Sequence, residues 1–278
     1  MKYSRRESAP DGLPVTRKLT LIYALSLIIA LFMTGASVAG LLFSTTLYPT
    51  EDLLQQSMPN DAVNLLIGLP ILLGSMALAR RGNLLGLLFW PGALFFVFYN
   101  YTAYVFGLPL NTVFPLCLVL AVMSAYTLIA LVASIDARAV QQRLTGAIPE
   151  KLGGGALTVY GGLFLLLALG TMTQALTGQS TLPESELAVM VADALMSPAW
   201  LVGGLLLWRR DALGYVAGAA LLFHASALFV SVILVMLLQP LLTSAPFAVG
   251  DVIALSVMGL VCFIPFGLFL RGMLSKEK

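Results

Sequence analysis

Charged side chains are scarce in this sequence of 278 residues, where 15 Lys and Arg and 13 Asp and Glu make up only 10%. A soluble domain carries roughly 25% charged residues and needs them to cover its surface. Hydrophobic residues reach 59% instead. This composition excludes the water-soluble globular, disordered and disulfide-scaffold classes, and it predicts an all-α protein whose main partner is the lipid bilayer.

Cysteine and histidine are also nearly absent. Cys117 and Cys262 both lie inside apolar runs, where they are typical of small buried side chains. His224 is the only histidine, and a single histidine cannot build a zinc site or ligate a haem on both sides. We therefore expect no cofactor and no metal.

Several functional motifs are missing as well. The sequence has no phosphate-binding glycine loop with lysine, no His-Glu-x-x-His motif and no arginine ladder of the voltage-sensing type. The net charge of +2, without a basic run, excludes nucleic acid as a partner. No Ser–His arrangement typical of a hydrolase is present, so an intramembrane enzyme would need an acid–base pair that we do not find.

What the sequence does have is a series of long apolar runs. A helix that crosses the hydrocarbon needs about 20 mostly apolar residues. Glycine and proline divide two overlong runs, one at Gly107–Asn111 and one near Gln239–Pro240. The first run is too long for a cleavable signal, whose apolar region spans about 7–15 residues. The eight predicted spans are Leu19–Ser44, Ala62–Ala79, Leu84–Gly107, Asn111–Ile135, Gly155–Leu176, Leu187–Trp208, Ala212–Leu238 and Gly250–Leu270.

The positive charges predict how these spans are oriented. With eight crossings, all 15 Lys and Arg fall on one side of the membrane, together with both termini. Because basic residues are retained on the cytoplasmic side, both termini are predicted to be cytoplasmic. The opposite side carries acidic residues only, and Asp61 is placed there, just before the second span. We expect the plasma membrane of a bacterium or archaeon.

The two halves of the sequence resemble each other. Setting Arg80-Arg81 over Arg209-Arg210 aligns the second span with the sixth and places Asn64 opposite Asp193. Four spans in each half keep both halves in the same orientation, so we predict two parallel four-helix repeats related by an axis along the membrane normal. The predicted divisions are a cytoplasmic arm 1–18, a first half 19–135, a cytoplasmic linker 136–154, a second half 155–271 and a cytoplasmic tail 272–278.

Five polar residues within or near the spans are candidates for a ligand-binding site. Ionisable groups inside a membrane are costly and indicate function, which applies to Asp193 and His224. Asn64 corresponds to Asp193, while Asn100 and Tyr104 lie four residues apart on one face of the third span. Structural interpretations are also open: an interhelical hydrogen-bond partner for His224 and a hydrated carboxyl for Asp193. Asn100 and Tyr104 belong to a polar aromatic cluster with Tyr99 and Tyr101, which is also typical of an interfacial aromatic belt.

Two functions remain open at this point. The duplicated bundle and its few polar groups favour a permease-like or small-ligand-binding protein, with its site between the halves toward the outer side. The near absence of charge within the spans favours a non-catalytic membrane subunit that anchors or assembles a larger complex. The second function requires a membrane protein partner, and homo-oligomers are compatible with either function.

Overall fold

The computed structural model describes residues 12–178 and 183–276, and these residues contain helices but no strand. Eight of the helices are long and apolar enough to cross a membrane, which confirms the predicted number of spans and the architecture of a multi-pass membrane protein. They are α1 (Thr20–Leu42), α2 (Glu51–Arg80), α3 (Leu84–Gly107), α4 (Phe114–Ser134), α5 (Glu150–Leu176), α6 (Glu184–Trp208), α7 (Ala212–Leu242) and α8 (Val249–Lys276).

Helix α2 begins well before the predicted start at Ala62. Its amino-terminal residue is Glu51, and the Thr50 side chain caps the helix by accepting a hydrogen bond from the Leu53 N–H at 3.3 Å. Acidic residues in the first turn, Glu51 and Asp52, favour a helix start at this point. The helix therefore includes a polar turn that hydropathy alone assigns to a loop.

Helix α7 also exceeds its predicted end at Leu238, since it continues through Gln239 and Pro240 to Leu242. A proline removes one N–H donor and crowds the preceding turn, but it need not end a membrane helix. In the predicted linker, Asp136 caps a short helix, Ala137–Leu144, through the N–H groups of Arg138 and Ala139.

Helices α3 and α7 form the centre of the bundle. Helix α3 packs against α2, α4, α6 and α7, while α7 packs against α2, α3, α6 and α8. At the periphery, α1 contacts α4 and α5 contacts α8. Large apolar side chains on these outer helices are exposed, among them Leu31, Ile129 and Leu166. An exposed apolar surface of this kind suits contact with lipid chains.

Small residues allow α5 and α6 to approach closely. A Cβ atom on Gly204 would lie 2.7 Å from the Gly154 carbonyl oxygen and 2.7 Å from the Thr158 nitrogen. The hydrophobic effect does not drive helices together in lipid, so close backbone approach stabilises them through van der Waals contacts instead. Gly154 belonged to the predicted linker, but in the structure it lies within α5.

The basic end of the bundle is closed by the chain before α1. Asp136 N–H donates to the Pro14 carbonyl at 2.8 Å, and Arg143 Nη2 donates to the Gly12 carbonyl at 2.9 Å. Thr16 N–H donates to the Ser134 carbonyl at 2.8 Å. These bonds hold residues 12–18 of the predicted arm against the end of α4. Residues 1–11 of that arm and 277–278 of the tail lie outside the described residues.

Candidate functional site

A cavity of about 370 Å³ lies between α2, α3, α6 and α7, and therefore between the two predicted halves. Its wall includes Leu53 near the start of α2, Gly107 at the end of α3 and Gln239 near the end of α7. These residues are remote from the hairpins Arg80–Arg81 and Arg209–Arg210. The cavity thus occupies the end of the bundle that the charges predict to be the outer end.

The wall of this cavity is amphipathic, and none of the side chains that the structure describes there is charged. Helix α7 supplies an apolar strip made of Leu228, Val232, Val235 and Met236. Amide, hydroxyl and phenol groups face it from several helices; they belong to Gln56, Ser57, Asn60, Tyr99, Asn100, Tyr104, Ser231 and Gln239. A mainly apolar pocket with a few polar groups that fix orientation is typical of a small-molecule site.

Behind one wall of the cavity lies a buried carboxyl, that of Asp61, whose exposed fraction is 2%. The Tyr104 hydroxyl, on the cavity wall, donates to Asp61 Oδ1 at 2.9 Å, and Tyr48 donates to Oδ2 at 2.5 Å. Tyr104 also accepts a bond from Asn60 Nδ2 at 3.2 Å. Burial, and then the adjacent Asp61, raise the pKa of Tyr48 far above its ordinary range, which keeps this phenol a donor.

The position of Asp61 corrects the sequence prediction, which placed it outside the second span. Because α2 starts at Glu51, Asp61 lies within the helix and faces α3. The signal was present in the spacing of Ser57, Asn60, Asp61 and Asn64, since residues three and four apart share one helical face. Hydropathy missed it because the polar turn lowers the average over the window.

A second carboxyl, that of Asp193, lies behind the opposite wall. The Tyr99 hydroxyl, on the cavity wall, donates to Asp193 Oδ1 at 3.1 Å. The backbone carbonyl of Asp193 accepts a hydrogen bond from the Ser197 hydroxyl. The cavity therefore has a carboxyl on each side, and a tyrosine of α3 separates each carboxyl from the cavity space.

His224 is completely buried in an aromatic cage. Its Nε2 lies 3.1 Å from the Met196 sulfur, and no partner reaches Nδ1. The ring centroids of Phe95, Trp200 and Tyr99 lie 4.7, 5.8 and 6.2 Å from that of the imidazole. His224 is thus absent from the cavity wall, although Tyr99 contacts both His224 and Asp193.

The two predicted asparagines differ in their placement. Asn100 lines the cavity, and its Nδ2 donates to the Phe96 carbonyl at 3.0 Å. Asn64 is fully buried and does not line the cavity, and neither of its side-chain polar atoms has a hydrogen-bond partner among the described residues. It begins a π-helical segment, Asn64–Gly68, in the middle of α2. Segments of this type occur frequently at functional sites.

The structure thus brings Asn100 and Tyr104 together on the wall and places Asp193 directly behind Tyr99. The sequence prediction missed five further polar positions on this wall, Gln56, Ser57, Asn60, Ser231 and Gln239. In residues 12–178 and 183–276, no group of three His, Cys, Asp or Glu side chains is arranged as metal ligands.

Comparison with known proteins leaves the function to be argued from this geometry alone. No family model, curated protein or solved structure matches the chain.

Proposed function

We propose that this protein is a permease-like membrane protein that binds a small ligand in the cavity between its two halves. The observation that carries the proposal is the cavity wall itself, to which five helices contribute, since α8 adds Leu255. The polar side chains Gln56, Asn60 and Asn100 face an apolar strip of α7 across this cavity. A few polar groups in a mainly apolar pocket suit the binding of a small molecule.

The wall also indicates the class of ligand. A volume of about 370 Å³ suits a small molecule. Because none of the described side chains on the wall is charged, we expect a ligand without net charge. Its apolar face would pack against Val232, Val235 and Met236, and its polar groups would bond to Gln56 and Asn60 on the facing helix α2.

The arrangement of the helices supports the predicted parallel repeat and, with it, a transport role. Each contact within the first half has a counterpart in the second: α1–α4 with α5–α8, α2–α3 with α6–α7, and α3–α4 with α7–α8. Between the halves, α3–α6 corresponds to α7–α2. Rocking of such repeats about a central site is the usual basis of alternating access.

The access route can be tested by labelling a cysteine placed on the cavity wall. We expect Val235→Cys to react with a membrane-impermeant maleimide added outside intact cells, because Val235 lines the outward cavity and its side chain is partly exposed. Ser226→Cys is the matched control, since Ser226 is buried on the same helix but does not line the cavity. The native thiols Cys117 and Cys262 are buried and give little background.

Ligand binding is then tested with the purified protein and a panel of solutes without net charge, namely zwitterionic amino acids, nucleosides and small polyols, by thermal shift. We expect one class to raise the unfolding temperature and to protect Val235→Cys from the maleimide. Asn60→Ala should remove both effects. Labelling of the Ser226 variant but not the Val235 variant would overturn the proposal. A stable partner co-purifying in mild detergent, with no response to any solute, would favour the subunit function.

A further inference from the structure

A second concave site lies at the other end of the bundle, far from the outer cavity. It is a cleft of about 560 Å³ between the short helix Ala137–Leu144, the end of α6 and the start of α7. Three arginines line it: Arg138, Arg209 and Arg210. We name it the arginine cleft.

Hydrogen bonds hold the walls of the arginine cleft in place. Gln141 Nε2 donates to the Arg210 carbonyl at 2.7 Å and thereby joins the short helix to the turn between α6 and α7. Arg210 adopts a left-handed backbone conformation, with φ of 59°, which is unusual for a residue with a Cβ atom. The arginines therefore project from a defined framework.

The positive charge in the cleft is only partly balanced. Arg210 Nη2 lies 3.7 Å from Glu150 Oε2, a contact that occupies one side of this guanidinium. Asp211 lines the cleft, but its Oδ1 accepts a hydrogen bond from the Leu213 N–H at 2.9 Å and so caps α7. Arg138 and Arg209 are exposed and form no ion pair with any described residue. Two guanidinium groups are thus available to an anion.

We propose that the arginine cleft binds a phosphate group. Guanidinium groups bind phosphate through paired, charge-assisted hydrogen bonds, and several clustered arginines bind it more tightly than a single charged group. The cleft lies between the end of one membrane helix and the start of the next, and the partly exposed apolar residue Leu206 forms part of its wall. Basic pockets in this position bind the headgroups of anionic lipids. A soluble phosphate has the same chemistry, and the experiment separates the two sources.

The test uses the full-length protein in detergent, titrated with phosphatidylglycerol, with phosphatidylcholine or with inorganic phosphate. Binding is followed by native mass spectrometry and by the unfolding temperature. We expect saturable binding of phosphatidylglycerol in preference to phosphatidylcholine, which carries no net negative charge. Arg138→Gln combined with Arg209→Gln should weaken it, by about tenfold for each arginine lost.

The matched control is Arg80→Gln combined with Arg81→Gln, which removes the same charge from the equivalent hairpin of the first half. This variant should bind phosphatidylglycerol as the parent does. Saturable binding of inorganic phosphate that the cleft variant loses also supports the proposal and assigns it to a soluble ligand. An equal loss in both variants, or no saturable binding of either phosphate source, would overturn it. If the double variant fails to fold, Arg209→Gln and Arg81→Gln provide the same comparison.

Discussion

The position of the Asp61 carboxyl depends on a residue without a side chain, Gly40, elsewhere in the chain. This carboxyl reaches Tyr48 and Tyr104 because Gly40, on α1, has no side chain. A Cβ atom on Gly40 would overlap the Asp61 carboxylate and lie 2.6 Å from the Tyr48 hydroxyl. Burial of a carboxyl in a membrane protein is costly unless hydrogen bonds satisfy it. The space at Gly40 therefore determines whether Tyr48 and Tyr104 can both donate hydrogen bonds to Asp61.

We therefore predict that Gly40→Ala lowers the free energy of unfolding by about 1–3 kcal/mol, because the added methyl group overpacks this contact. Gly35→Ala, on the same helix, is the control, since no atom lies within 4 Å of a Cβ atom there. The midpoint of thermal unfolding in detergent measures both. A Gly40→Ala protein as stable as the control would show that the carboxyl can move at little cost.

At the scale of the element, helix α2 consists of an outer part, Glu51–Val63, and an inner part, Leu69–Arg80. Its 30 residues would span about 45 Å, more than the hydrocarbon thickness of about 30 Å. The π-helical segment Asn64–Gly68 lies between the parts, and the Leu69 N–H donates to the Asn64 carbonyl five residues earlier. The wider turn takes up one extra residue, and beyond it the outer part presents Asn60 and Asp61 to α3.

Insertion of one alanine after Leu66 should turn the outer part of α2 by about 100° relative to the inner part. Asp61 would then lose its bond to Tyr104. We expect the free energy of unfolding to fall by about 2 kcal/mol or more, since each buried group left unpaired costs about 1–3 kcal/mol.

Leu66→Ala is the control for this insertion. The Leu66 side chain is 57% exposed, so its truncation should change the unfolding temperature little. Equal stability of the insertion variant and the Leu66→Ala variant would show that the rotation of the outer part does not position Asp61.

At the scale of the whole molecule, the direction of insertion is the property on which the outward cavity and the arginine cleft both depend. Leu110, 84% exposed in the connection between α3 and α4, lies at the end of the bundle that is predicted to be outside. Gln142, exposed in the short helix Ala137–Leu144, lies at the basic end.

We predict that Leu110→Cys reacts with a membrane-impermeant maleimide in intact cells, and that Gln142→Cys reacts only after the membrane is permeabilised. The physical reason is the retention of basic residues on the cytoplasmic side. The opposite labelling pattern would invert the predicted sidedness and move the ligand cavity to the cytoplasmic side.

Local composition was sufficient to determine the eight spans of this protein. Apolar runs such as Leu84–Gly107 match their helices because a backbone in lipid must satisfy its own hydrogen bonds, which leaves the helix as the only choice for such a run. Asn100 and Tyr104 were found by the same logic, as polar groups with helical spacing inside an apolar run.

Only the tertiary structure could decide which polar groups meet. Asp61 and Tyr48 are separated by a turn, Asp193 and Tyr99 belong to different halves, and Gln141 bonds to the distant Arg210 carbonyl. Such contacts depend on how helices rotate and how closely glycines allow them to pack, and neither property is visible in hydropathy. Sequence therefore determined how many helices are long and apolar enough to cross a membrane, while packing between helices determined where the cavity lies.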